Sequence, residues 1–399
     1  MTRTATGDQL GTEFALVRAL RSAGGAKTGE SRSSGLRVFP KSRSRLGAFA
    51  TRMATAAVMV WASWVSGAAA GEPRVEVVAR GLEVPWAIAF APDGRLLVTE
   101  RPGRLRVVKD GRLDPTPLAT ITVAAVGEAG LMGLTLDPAF PANGHVYICY
   151  TASTAPKLLG GVLINRVVRL TVRGGSAGGE RVLLDNLPGA SIHDGCRLKF
   201  GPDGKLYVTT GDAAYPRLAQ RMDSVAGKIL RLNADGSVPP DNPFPGSPIY
   251  SFGHRNPQGI AWDTAGRLFA AEHGPSGHDE VNRILPGRNY GWPAVAGKGG
   301  EPQYVDPLLE SGSDTWAPSG IAALGSDLFV AGLRGRRLLR IRLGPDASVA
   351  GVEALLVGTY GRLRDVVVGP DGALYVSTSN RDGRGSPAPD DDRILRILP

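Results

Sequence analysis

The run LKFGPDGKLYVTTGD at residues 198–212 decides the fold. Pro202 fixes φ for the second position of a tight turn, Asp203 can bond the backbone ahead of it, and Gly204 accepts positive φ. The Leu206-Tyr207-Val208 run that follows has high β-propensity. Two strands joined by a turn are expected here, and two strands alone are marginal in water. The unit therefore needs neighbours, and the chain supplies them as copies.

The same pattern occurs as AIAFAPDGRLLVTE (87–100), IAWDTAGRLFAAEHG (260–274) and VVVGPDGALYVSTSN (366–380). Looser copies are LTLDPAFPANGHVYICYT (134–151), with a lengthened turn, and IAALGSDLFVAG (321–332). The turn glycines Gly94, Gly144, Gly204, Gly266, Gly325 and Gly372 are spaced by 50, 60, 62, 59 and 47 residues. Repeats of this length with four strands each close into a ring. The fold class expected is all-β, a six-bladed β-propeller with four-stranded antiparallel blades. RVEVVARGLEVP (74–85) and RILRILP (393–399) both read as strands, so the two ends should share the last blade and close it. A parallel β-helix has a much shorter repeat, and no segment carries the periodicity of a Rossmann or barrel helix.

The net charge of +9 is unevenly placed. Residues 1–70 hold ten Lys/Arg against three Asp/Glu, leaving 36 basic and 34 acidic groups for the rest. A nearly neutral body has no general drive toward phosphates, so a nucleic-acid partner is not expected. The first seventy residues read as a leader: basic Lys41, Arg43, Arg45 and Arg52, an apolar run from Met53 to Val65, then Ala68-Ala69-Ala70 before Gly71. The apolar run is short for a bilayer span, although an uncleaved anchor is the alternative. The basic stretch lies far from Met1, which would suit a start nearer Met53. The organisation expected is a leader over 1–70 and a propeller over 71–399, exported to the periplasm or secreted, with no membrane span in the mature protein. Cys149 and Cys196 are the only cysteines. Their separation does not decide whether they are bonded or are simply small buried side chains.

Polar residues fall at one phase of the repeat. His193 and Arg255 each lie 11 residues before their turn glycine, Arg362 and Arg364 lie 10 and 8 before theirs, and Trp316 lies 9 before its own. Glu128 precedes Gly144 by 16, which the longer turn of that copy absorbs. Equivalent positions in a ring sit at equivalent heights, so these side chains should converge at one mouth of the central channel. Individually, an arginine is usually a solvated surface group and a lone histidine a satisfied structural one; their shared phase is the stronger signal.

The richest segment is IYSFGHRNPQGIAWDTAGRLFAAEHGPSGHDEVNRILPGRNYGWP (249–293). With GEAGLMG (127–133), HDGCRL (193–198), TTGD (209–212) and GRLRD (361–365), it resembles the soluble pyrroloquinoline quinone (PQQ) dependent glucose/aldose sugar dehydrogenases, in order from about Gly71. The resemblance implies an enzyme that oxidises an aldose at C1 to a lactone and passes electrons to an external quinone or cytochrome. It implies His193 as general base, with Asp212 orienting it, and Arg255 and Asn256 over the quinone carbonyl that receives hydride. Arg362 and Arg364 would clamp the cofactor carboxylates, with Arg334 where relatives carry lysine. Gly274 and Pro275 would offer backbone carbonyls to the cofactor-bound calcium (Ca2+). Asp279, Glu280 and Tyr290 fall where some members bind a further calcium; an exposed turn is the alternative for the acidic pair.

Glu128 and Trp316 are the candidate sugar contacts, with core packing the alternative for the tryptophan. Glutamic acid at 128 departs from the glutamine of glucose-specific members, and Cys196 stands where a small residue is usual. Two other readings fit the fold. A calcium-dependent lactonase would need carboxylate ligands from several blades, and a non-catalytic sugar- or protein-binding propeller would not need the His193–Asp212 pair.

Overall fold

A computed structural model describes residues 73–155 and 161–398. The expected leader lies outside the described residues. Six antiparallel sheets follow one another along the chain. Their innermost strands are Pro85–Phe90, Leu131–Leu136, Gly195–Phe200, Pro257–Trp262, Pro318–Leu324 and Leu363–Val368. Each inner strand packs against the next, and the last packs against the first, so the ring closes. Strand pairing between the chain ends closes it: Arg74–Ala79 pairs with Ile394–Leu398 and completes the sixth blade from both ends. The six repeats are thus the two inner strands of six blades.

The turns form as their residues require. Gly204 takes φ 71°, its N–H donates to Gly201 O at 2.9 Å, and the Asp203 carboxylate accepts from Lys205 N at 3.1 Å. In the second blade the longer turn winds into one helical turn, Phe140–Asn143, closed by Gly144 at φ 67°. The first blade departs from the simple pattern. Its outer edge is split into Arg112–Leu113 and Ala119–Thr120, both paired with Arg104–Lys109.

Apolar residues fill the wedges between blades. Ile88, Val98 and Ile394 meet between the sixth and first blades, while Phe269, Ile321 and Val330 meet between the fourth and fifth. Glycine lets inner strands approach closely near the axis: a Cβ on Gly259 would overlap the Ser319 carbonyl, and one on Gly320 would overlap the Asp365 carboxylate. Cys149 and Cys196 are buried and form a disulfide between the second and third blades, with Cα atoms 5.6 Å apart. Among the described residues no helix is long and apolar enough to cross a membrane.

A buried ion pair crosses the axis. Arg197 Nη1 of the third blade lies 3.0 Å from Asp365 Oδ2 of the sixth. The same Asp365 oxygen accepts from Ile88 N at 2.9 Å, and Arg197 Nε donates to Gln258 O at 2.7 Å. Four of the six blades are joined through these two side chains. The Arg197 guanidinium also lies 4.3 Å above the Trp86 ring.

Asp194 tests how burial couples to stability. Its Oδ1 accepts from Asn165 Nδ2 at 2.9 Å and from Ala190 N at 3.0 Å, while Oδ2 is buried without a partner. Burial pushes its carboxyl up to about 7. The folded state therefore holds this proton at pH values where the unfolded chain has released it. The contribution is present at low pH and is lost as pH rises from about 4 to about 7. Asp194→Asn should remove that loss, raising the melting temperature above the parent by more than about 2 °C at pH 8 and by less at pH 5. Melting curves across pH 5–8 check this; parallel curves for the two proteins would refute it.

Candidate active site

His193 sits two residues before the inner strand of the third blade, at φ 62°. A Cβ on Gly211 would overlap the His193 carbonyl, so the TTGD segment approaches the histidine closely only because glycine stands there. His193 Nδ1 lies 2.8 Å from Asp212 Oδ1. Asp212 is fully buried; its Oδ1 also accepts from Ala214 N at 2.8 Å, and its Oδ2 accepts from Trp292 Nε1 at 2.8 Å. A carboxylate surrounded by donors assigns the proton to Nδ1 of the imidazole, which leaves Nε2 with its lone pair free. This is the geometry of a base held by an orienting acid.

Glu128 approaches from the second blade. Its Oε2 accepts from the His193 backbone N–H at 3.3 Å, and its Oε1 lies 2.7 Å from Arg384 Nη1. Burial pushes this carboxyl up, but His273, Arg384 and the His193 N–H together hold it down at about 2. Glu128 is therefore an anion at neutral pH. Arg101 Nη1 donates to Gly127 O at 2.6 Å and Glu128 N to Ser191 O at 2.8 Å, so the loops bearing Glu128 and His193 are fastened together.

The fourth blade brings Arg255 and Asn256 immediately before its inner strand. Arg255 Nη1 donates to His273 O at 3.1 Å, its backbone N–H donates to Glu272, and its guanidinium stands 5.4 Å over the Trp292 ring. The Asn256 side-chain oxygen accepts from Gly195 N at 3.0 Å, and Asp212 N donates to Arg255 O at 2.8 Å. The third and fourth blades are therefore bonded to each other at the mouth. Burial draws Arg255 below the usual arginine range.

The sixth blade supplies Arg362 and Arg364, both buried. Arg362 Nε and Nη2 lie 2.9 Å and 2.8 Å from Asp382 Oδ2, while Arg364 Nη1 donates to Gln258 Oε1 at 2.9 Å. Burial lowers Arg364 to about 9, so it remains a cation at neutral pH. Arg255 Nε, Asn256 Nδ2, His273 Nε2 and Arg364 Nε are buried nitrogens with no protein partner. Unpaired buried polar groups are costly. The donors of the arginines and the asparagine suit a carboxylated quinone, whose oxygens would satisfy them.

Other expected residues fall differently. Arg334 is exposed, at the rim. Trp316 is buried and belongs to the apolar wedge of the fourth and fifth blades, which favours the core reading over a sugar contact. Asp279 is buried rather than in an exposed turn. Its Oδ1 accepts from Gly274 N at 2.9 Å, and its Oδ2 accepts from Trp316 N at 2.6 Å and Ala317 N at 2.9 Å. Glu280 accepts from Gly297 N and Asn282 Nδ2, and the Tyr290 hydroxyl donates to Arg283 O and accepts from Leu285 N. These side chains fix loops, and among the described residues no group of three or more His, Cys, Asp or Glu is arranged to hold a metal. The carbonyls of Gly274 and Pro275 lie in the segment that Asp279 anchors. Sequence reasoning missed Trp292, Asp382, Arg384, Gln258 and the Arg197–Asp365 pair. Trp292 stands in the quoted NYGWP run, Arg197 lies within HDGCRL and Asp365 closes GRLRD, but only packing reveals their partners.

Aldose sugar dehydrogenase YliI of Escherichia coli is 32% identical, with 79% of this chain and 92% of the relative aligned. Quinoprotein glucose dehydrogenase B of Acinetobacter calcoaceticus is 36% identical over 81% of this chain and 88% of its own. The PQQ-bound aldose sugar dehydrogenase of Streptomyces coelicolor superposes with a TM-score of 0.75 at 42% identity, covering 82% of this chain and 98% of that one. The Glucose / Sorbosone dehydrogenase family model matches residues 82–395, and with that span of fold and motif this chain belongs to that family.

Proposed function

We propose that the chain oxidises the C1 hydroxyl of an aldose to the lactone, with PQQ and calcium bound at the channel mouth and electrons leaving to an external acceptor. The observation that carries this reading is the His193–Asp212 pair beside buried, unpaired donors on Arg255, Asn256 and Arg364. A base next to cationic donors suits removal of a proton and a hydride from one carbon.

When bound, the quinone would supply the hydride acceptor and calcium a Lewis acid. The protein does the rest. His193 Nε2 takes the proton of the C1 hydroxyl, and Asp212 keeps the ring in the productive tautomer and stabilises the imidazolium. Arg255 and Asn256, with buried unpaired donors, would hold the quinone by hydrogen bonds and favour negative charge there. Arg364, whose Nε is unpaired, and Arg362, whose Nε and Nη2 already face Asp382, would hold the cofactor carboxylates as cations, and Arg334 would lend charge from the rim. Gly274 and Pro275 would give carbonyl oxygens to calcium, a hard cation that prefers such ligands. Asp279 enters the proposal as the staple that shapes this segment, because its oxygens already serve three backbone N–H groups. Glu280 and Tyr290 likewise shape the loops beside it.

Glu128 lies beside His193 as an anion at neutral pH. It accepts hydrogen bonds only, so it favours a sugar hydroxyl that donates. The reading also places the enzyme outside the cytoplasm. A buried Cys149–Cys196 bond suits an oxidising compartment, and the basic, apolar and small-residue order before Gly71 suits export.

His193→Ala should slow single-turnover reduction of bound quinone by at least ~10²-fold, the usual scale for losing a general base. Asp212→Asn should lose less, since the base remains. Stopped-flow reduction with the acceptor omitted isolates this step, and equal rates for parent and His193→Ala would place the base elsewhere. Chelation of calcium should abolish PQQ-dependent sugar oxidation, and added calcium should restore it. Full activity in excess chelator, with no metal found by elemental analysis, would remove calcium from the account.

A further inference from the structure

The central channel has a second end. His193 lies just before Gly195–Phe200 and Arg362 just before Leu363–Val368, so the inner strands begin at the candidate active site and finish on the opposite side of the ring. There the six strands wall a cavity of about 350 Å³. Ile88, Leu134, Leu198, Ile260, Ile321 and Val366, one from each blade and all buried, line it. Arg197 and Asp365 also line it, and along their strands they come between it and the His193 end.

The next residues of these strands are Ala89, Thr135, Lys199, Ala261, Ala322 and Val367. Only the third blade places a charge at this level. Among the described residues Asp365 is the only acid in the wall, and Lys199 makes no ion pair. Asp365 is already engaged: its Oδ2 faces Arg197 Nη1 and accepts from Ile88 N, while its Oδ1 accepts from Val366 N at 3.0 Å. Burial lowers the half-buried Lys199 to about 8, so it remains a cation at neutral pH. Arg197 Nη2 is a buried nitrogen with no protein partner. Two cations and one carboxylate leave this apolar chamber with one net positive charge.

We propose that the cavity binds an amphipathic monocarboxylate, its carboxylate on the Lys199 ammonium and its hydrocarbon chain among the six apolar side chains. The volume holds about a dozen groups of water size at about 30 Å³ each, which suits a medium-length chain such as octanoate. The single net charge favours a monoanion over a dianion, and apolar walls that cannot pair hydroxyls disfavour a sugar. The site is separate from the proposed chemistry, since neither His193 nor the arginines assigned to the cofactor belong to its wall.

Octanoate is the probe, titrated calorimetrically into the full chain with and without PQQ and calcium. One site is expected in both states, with affinity rising roughly fourfold for each methylene added from butanoate to octanoate. Lys199→Gln should weaken octanoate at least ~tenfold and leave the weaker binding of neutral 1-octanol unchanged, because only the anion uses the charge. Lys199→Arg should retain octanoate. Ala89→Leu keeps the charge but fills the room, and it should weaken octanoate and octanol together. Octanoate bound as tightly by Lys199→Gln as by the parent would overturn the proposal. So would affinity independent of chain length, displacement of octanoate by PQQ, tighter binding of the eight-carbon dicarboxylate, or no saturable binding to the parent.

Discussion

The ion pair between Arg197 and Asp365 spans the axis of the ring, and the geometry of the mouth depends on it. A propeller has no single central core; its wedges hold neighbours together but say little about blades that face each other. Here the third and sixth blades are bonded directly at 3.0 Å, with Ile88 N and Gln258 O drawn in from the first and fourth. Arg364 is the residue before Asp365, and His193 lies four before Arg197. The pair therefore ties together the strands that carry the base and the clamp. Buried ion pairs give up much of their Coulomb energy to desolvation, so its value lies more in fixing one arrangement than in raw stability.

Above that pair the mouth is organised by unequal charge. The carboxylates at hand are committed: Asp212 to His193 and Trp292, Glu128 to Arg384 and the His193 peptide, and Asp382 to Arg362. The arginines and Asn256 are not fully committed, and they leave buried donors open. A site of this kind attracts an acceptor-rich anion and resists a bare cation.

Much of this was legible in the sequence because a repeat converts position into geometry. The six turn glycines marked six blades, and the common phase of His193, Arg255, Arg362 and Arg364 marked one mouth. The chain ends also read as strands of one blade, and Arg74–Ala79 does pair with Ile394–Leu398. What remained hidden were contacts between residues far apart in the chain. Nothing local in HDGCRL says that Arg197 reaches Asp365, or that Arg384 reaches Glu128 256 positions away. The split edge of the first blade and the Cys149–Cys196 bond depend likewise on packing. Asp279 shows the converse limit. The resemblance implies a metal ligand there, and nothing local in the sequence shows the three backbone N–H groups that its carboxylate serves.

The central claim is that this mouth carries out a quinone-dependent oxidation of sugar by itself. Anaerobic mixing of the full chain, loaded with PQQ and calcium, with excess glucose and no electron acceptor tests it most directly. Absorbance would follow the cofactor and chromatography the sugar. The account predicts complete reduction of the bound cofactor and one equivalent of lactone per loaded protein. Cofactor that stays oxidised across a panel of aldoses, in protein shown to have bound it, would contradict the account.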